Sequence, residues 1–133
     1  MVLNLVEEIN IEGYPNELIQ CFINIFNNAK DALLENNKEG DRYIFISQET
    51  INNNVVIKFK DNAGGISQNI ISKIFEPYFT TKHASEGTGL GLHMAYNLIV
   101  EGMHGNLKVN NINYKYNNKE YVGAEFTISL PLN

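Results

Sequence analysis

In Gly87-Thr88-Gly89-Leu90-Gly91-Leu92, three glycines alternate directly ahead of a segment, residues 93–100, with helical apolar spacing. Glycine lets backbone N–H groups approach an anion with no Cβ in the way. The first turn of a helix adds unpaired N–H donors and a partial positive charge. A loop of this kind running into a helix is a cradle for phosphate. Glycine-rich turns also serve as plain punctuation, so the weight falls on what stands upstream.

Asn24, Asn28 and Asp31 lie at i, i+4 and i+7 of an upstream helical segment and share one face. Asparagine is a mediocre helix former, and a solvated face usually carries Glu and Lys instead. Amide oxygens suit a hard cation, and Mg²⁺ takes one or two protein oxygens together with phosphates and water. A solvated, hydrogen-bonded face in an asparagine-rich chain explains the same residues. Asp61 continues the parity of Val55, Ile57 and Phe59, which points its carboxylate toward the buried side. Burial of that charge is costly unless it gains donors. The turn Asn62-Ala63-Gly64-Gly65 follows, where backbone can close around a flat ligand whose amino group donates to Asp61. Asp61 is equally suited to capping that turn through its own backbone. Phe75-Glu76-Pro77-Tyr78-Phe79-Thr80-Thr81-Lys82 combines aromatic anchors with hydroxyls and a cation just before the glycine loop. Lys82 can approach a terminal phosphate or serve as an ordinary surface lysine. His83, His93 and His104 have no metal-site spacing with Cys21 or one another, and His93 reads as an ordinary helical residue. Cys21 reads as a small packing residue.

These residues need a scaffold. Residues 16–34 read as a helix, with Leu18, Phe22, Ile25, Phe26, Ala29 and Leu33 at helical spacing. Residues 43–47 and 55–60 read as strands joined by an Asn52-Asn53-Asn54 turn. Residues 67–75 read as a short helix with Ser67 at its N-cap, residues 76–86 as a loop, and residues 89–100 as a helix closed near Gly102. Residues 107–110 and 122–130 read as a closing hairpin, with the polar stretch 111–120 as a surface loop. Helices on one face of an antiparallel or mixed sheet give a two-layer α/β sandwich of the α+β class.

At 133 residues the chain suffices for one domain with a real core. Fifteen acidic against ten basic residues give a net charge of −5, which disfavours a sequence-independent grip on nucleic acid or an anionic membrane. No apolar run approaches the roughly 20 residues of a membrane span, and residues 1–11 mix acids with aliphatics rather than forming a leader. A single cysteine rules out an internal disulfide framework and fits a reducing compartment, so the expected location is cytoplasmic.

Taken together, the motifs resemble those of the ATP-binding catalytic domain of bacterial sensor histidine kinases, over nearly the whole chain. The family's asparagine box is matched by residues 24–32, its first glycine box by Asp61-Asn62-Ala63-Gly64-Gly65-Ile66, its phenylalanine box by residues 75–82 and its second glycine box by Gly87-Thr88-Gly89-Leu90-Gly91-Leu92. The resemblance implies a Bergerat fold, shared with gyrase, the mismatch-repair ATPases and the heat-shock chaperone ATPase. It implies ATP and Mg²⁺ as ligands, with Asn28 on the metal and Asn24 on the phosphate side. Asp61 would meet the adenine amino group beside Gly65 and Ile66. Thr88, with Gly87, Gly89, Leu90, Gly91 and Leu92, would hold the phosphates from a lid. Thr81, Lys82 and Asp31 complete the expected site.

Two departures qualify the match. Ala63 stands where the commonest first box has glycine, which makes the turn less permissive. The family's phosphoacceptor histidine, on an upstream helical dimerisation hairpin, has no counterpart: His83 precedes Ala84, His93 precedes Met94 and His104 precedes Gly105. The expectation is a single catalytic domain of a longer sensor kinase, compatible with a parent protein anchored to a membrane elsewhere. Alone it would be monomeric, passing phosphate to a separate histidine hairpin and thence to a response regulator.

Overall fold

The computed structural model describes residues 2–5, 15–36, 40–77 and 91–132. Their elements are β1 (Val2–Leu5), α1 (Pro15–Asn36), β2 (Ile44–Ile51), β3 (Asn54–Asp61), α2 (Gln68–Ile71), α3 (Gly91–Tyr96), a π-helical turn (Asn97–Gly102), β4 (Asn106–Tyr116) and β5 (Lys119–Pro131). The five strands form one sheet in the order β1-β2-β3-β5-β4. β1 pairs with β2 in parallel, and all other pairs are antiparallel, so the sheet is mixed. β1 carries no alternation signal and was not expected from the sequence.

The helices cover one face. Cys21, Ile25, Ala29 and Leu33 recur every fourth residue of α1 and are all buried. The first two join Val55 and Phe59 of β3, Leu107 of β4, Phe126, Ile128 and Leu130 of β5, and Ala95, Ile99 and Met103 from the α3 region in the main core. Each such aliphatic side chain contributes about 1.5–3 kcal/mol on burial. Cys21 sits inside this core, where burial pushes its thiol pKa up. No described helix is long and apolar enough to cross a membrane.

Three local expectations require correction. The helix expected over 67–75 is helical only at Gln68–Ile71; Ser67 Oγ caps it by accepting from Asn69 N–H at 3.3 Å. Beyond it, turns closed by Lys73 N–H to Ile70 O and Glu76 N–H to Lys73 O lead on as Ile74 enters the core and Phe75 stacks on Tyr96. The helix after the second glycine box widens at Asn97 into a π-turn, with Met103 N–H donating to Leu98 O. This extra width seats both Ile99 and Met103 in the core.

The third correction is the largest. Residues 111–120 form no loop, because β4 and β5 continue as a long hairpin to a two-residue turn at Asn117-Asn118. Both turn residues have positive φ, 51° and 63°, as do Asn52 and Asn53 in the β2–β3 turn at 50° and 65°. Asparagine tolerates that region better than most residues and suits such tight hairpins. Beyond Asn110, β4 changes the face it buries: Leu107 and Val109 pack into the helix-side core, whereas Tyr114 and Tyr116 meet Phe45 on the opposite face. Tyr43 closes on Tyr116 and Tyr121 at ring distances of 5.1 and 5.7 Å, and Lys60 Nζ lies 4.2 Å from the Tyr114 ring. The hairpin arm therefore reaches across the end of β3 to β2.

Candidate functional site

Asp61 is the last residue of β3 and only 3% exposed. Its Oδ1 accepts from Ala63 N–H at 3.0 Å and from Ala124 N–H on β5 at 3.1 Å. Oδ2 accepts nothing among the described residues. The readings as turn cap and as ligand acceptor are thus compatible: one oxygen closes the turn, and the other has no donor among the described residues. Burial pushes the Asp61 pKa up, while the two backbone donors pull the other way. The Asp61 carbonyl accepts from Tyr114 Oη at 2.7 Å. Burial, with Asp61 and Tyr121 nearby, pushes the Tyr114 phenol well up, so its hydroxyl stays a donor.

The turn that follows is pinned on several sides. Asn62, 6% exposed, accepts from Tyr43 N–H at 2.9 Å and donates to Asp41 O at 3.0 Å. Ala63 sits against Ala29, Leu33 and Ile44. It lies outside positive φ, so its methyl fills core where a glycine is not needed; the two left-handed positions are Gly64 and Gly65, at φ 97° and 90°. Gly64 N–H donates to Val122 O at 2.9 Å, and the Ile66 backbone is held by the Asn111 side chain. Gly123 is the silent partner of this corner: a methyl there would overlap the Asp61 carbonyl oxygen. The sequence reading missed Asn111, Tyr114 and Gly123. Ile112, Tyr114 and Tyr116 do carry an alternating signal, but the asparagines and lysines between them obscure it.

Packing of Ala63 on Ala29 and Leu33 sets the first glycine box against α1, next to the asparagine stripe. Asn28 is half-buried, and its amide has no hydrogen-bond partner among the described residues. An amide oxygen left over at such a place fits a hard cation. About 6 Å along the helix, Asn24 is bonded at both ends: Oδ1 accepts from Gln20 Nε2 at 3.1 Å, and Nδ2 donates to Gly91 O at 3.2 Å. Asn24 therefore ties α1 to Gly91, the first residue of α3 and the last glycine of the second glycine box. Asp31 is half-buried on the same helix, and Leu92 packs on the core. Thr81, Lys82, Gly87, Thr88, Gly89 and Leu90, as well as His83, lie outside the described residues.

His93 does more than its expected role as an ordinary helical residue. Its Nδ1 lies 3.0 Å from Phe75 O, an acceptor only, so Nδ1 carries the proton; Nε2 then accepts from Asn97 Nδ2 at 3.1 Å. His93 thus joins the phenylalanine box to α3. Among the described residues no cluster of His, Cys, Asp and Glu could hold a metal.

A model of the histidine kinase-, DNA gyrase B- and HSP90-like ATPases matches residues 13–133. The chain belongs to this family. The two-component sensor PprA of Pseudomonas aeruginosa is 37% identical over 124 residues, which is 92% of this chain and 12% of that protein. Sporulation kinase E of Bacillus subtilis is 33% identical over 134 residues, 99% of this chain and 16% of that protein. The chain thus spans less than a fifth of the length of either relative. The solved catalytic domain of histidine kinase ThkA superposes with a TM-score of 0.73 at 25% identity, covering 97% of this chain and 80% of its own. Within the ATPase family, the mixed sheet with helices on one face is therefore that of a histidine kinase catalytic domain.

Proposed function

We propose that this domain binds ATP with Mg²⁺ and presents the γ-phosphate to a histidine on a separate phosphoacceptor hairpin, in two-component signalling. The observation that carries the reading is Asp61. A buried carboxylate is held by two backbone donors on one oxygen, while the other has no donor among the described residues. This is an acceptor prepared for an exocyclic amine, and adenine offers one where guanine offers a carbonyl. Gly65 and Ile66 form the wall beside it. On the phosphate side, Asn28 would hold the cation; Mg²⁺, when bound, neutralises charge on the triphosphate. The backbone of Gly87, Thr88, Gly89, Leu90, Gly91 and Leu92 would bind the phosphate oxygens, with Thr81 and Lys82 at the terminal phosphate.

Phosphoryl transfer depends on positioning and charge neutralisation more than on covalent help from the protein. A domain that holds the nucleotide still and offers no base is therefore suited to donate to an imidazole from outside. The amide of Asn24 cannot take a proton from water, which disfavours an ATP-hydrolysing clamp or chaperone of the same fold. A nucleotide-sensing module without transfer would share the binding site and differ only in the outcome with an added hairpin. A response regulator downstream and a cytoplasmic location belong to the same reading.

Titration with ATP, GTP and ADP, with and without magnesium, tests the binding. ATP is expected to bind more tightly than GTP, and magnesium to strengthen ATP binding in the native chain but much less in Asn28→Ala. Equal losses for Asn28→Ala with and without the metal would remove that residue as its ligand. Equal affinity for ATP and GTP would remove Asp61 from base recognition.

A further inference from the structure

Asn111 belongs to none of the sequence boxes and lies on the hairpin arm. Its side-chain amide pairs with one residue of the first glycine box in both directions. Oδ1 accepts from Ile66 N–H at 2.7 Å, and Nδ2 donates to Ile66 C=O at 2.7 Å. This is the exchange that two strands make across a ladder, here made by a side chain. The same amide closes over Gly65, where a Cβ would lie 3.0 Å from Oδ1. The arm also holds the start of the loop, through Ala124 N–H to Asp61 Oδ1, Tyr114 Oη to Asp61 O, and Gly64 N–H to Val122 O. Asp61 and the Gly64–Ile66 backbone are thus fastened to one hairpin, and among these contacts Asn111 alone grips the Ile66 end.

We infer that Asn111 is a positioning residue of the nucleotide pocket, one that sets its preference for adenine by fixing the Gly65–Ile66 wall relative to Asp61. The inference rests on the ATP reading above. Asp61 decides what the base must offer, namely a donor. Asn111 decides where the opposing backbone stands while that donor is tested. Without it, the Ile66 peptide exchanges its two partners for water and the wall relaxes. Discrimination falls, while groups that hold the triphosphate are unaffected.

The test measures dissociation constants of the full chain for ATP, for GTP and for inorganic tripolyphosphate with magnesium, alongside thermal melts. Asn111→Ala is expected to weaken ATP about 3- to 30-fold, to shrink the preference for ATP over GTP, and to leave tripolyphosphate unchanged. Asn111→Asp keeps the acceptor for Ile66 N–H but turns a carboxylate oxygen toward the Ile66 carbonyl. It is expected to lose ATP affinity in the same selective way, and it serves if the alanine variant fails to fold. Unchanged ATP affinity in the folded variants, or equal loss for all three ligands, overturns the inference and leaves the ATP reading standing. Failure of the native chain to bind ATP overturns both.

Discussion

At the scale of single residues, Asp61 couples two opposing demands on one carboxyl group. Burial raises its pKa, so between the unfolded and folded titration points the native state holds the proton more firmly than the unfolded chain. Asp61 therefore contributes stability that is present at low pH and lost as pH rises through the folded value. In the proposed role, nucleotide binding runs the other way, because charge-assisted acceptance from an amine needs the ionised form. ATP affinity is expected to fall as pH drops through the raised Asp61 pKa, and Asp61→Asn is expected to flatten that dependence. The same variant should weaken ATP by about 1–3 kcal/mol, roughly 5- to 150-fold. Calorimetric titration across pH checks both; a native profile that Asp61→Asn leaves unaltered would assign the titration to another group.

At the scale of elements, the β4–β5 arm and the end of β3 form one corner. Gly123 allows β5 to pass against the Asp61 carbonyl with no side chain between them. Gly123→Ala must push the strands apart, and overpacking of this kind costs about 1–3 kcal/mol. A lowered denaturation midpoint together with weakened ATP binding is expected. A midpoint equal to the native one would show that the corner yields without cost. This corner is also where the sequence was least legible. α1 and β3 could be read because each keeps one periodicity and one buried face, as at Val55, Phe59 and Asp61. β4 changes its packing face midway, so neither half is long enough to stand out. Asn111 and Gly123 act through contacts with residues far away in sequence, which no local pattern encodes. Asn24, Asn28 and Asp61 were legible as candidates because their polarity conflicts with their positions on a helix face or a buried strand.

At the scale of the molecule, the proposed site is shared between α1, the β3 corner and the start of α3, and would link nucleotide binding to the integrity of the whole fold. ATP with magnesium at about 100 times its dissociation constant should add about 2.7 kcal/mol of stability, which for a domain of this size raises the melting temperature by about 10 °C. Differential scanning calorimetry with and without nucleotide measures it, and an unmoved transition would contradict specific binding. With γ-labelled ATP, the chain by itself is expected to gain no stable label, while an added cognate histidine hairpin becomes labelled. Label on the chain alone would either make His83, His93 or His104 an acceptor or overturn the reading.

Cys21 has a practical consequence. It is the chain's only cysteine, in the same core as Ile25, Phe59 and Ile99, where burial raises the thiol pKa and disfavours the thiolate. Alkylating reagents attack thiolates, so the folded protein offers them a silent background. A cysteine introduced at the exposed Lys119 beside the hairpin tip, outside the left-handed turn positions, would take a maleimide dye or spin label site-selectively without first removing the native sulfur. The arm that holds Asp61 and the first glycine box can thus be watched by spectroscopy in an otherwise native chain.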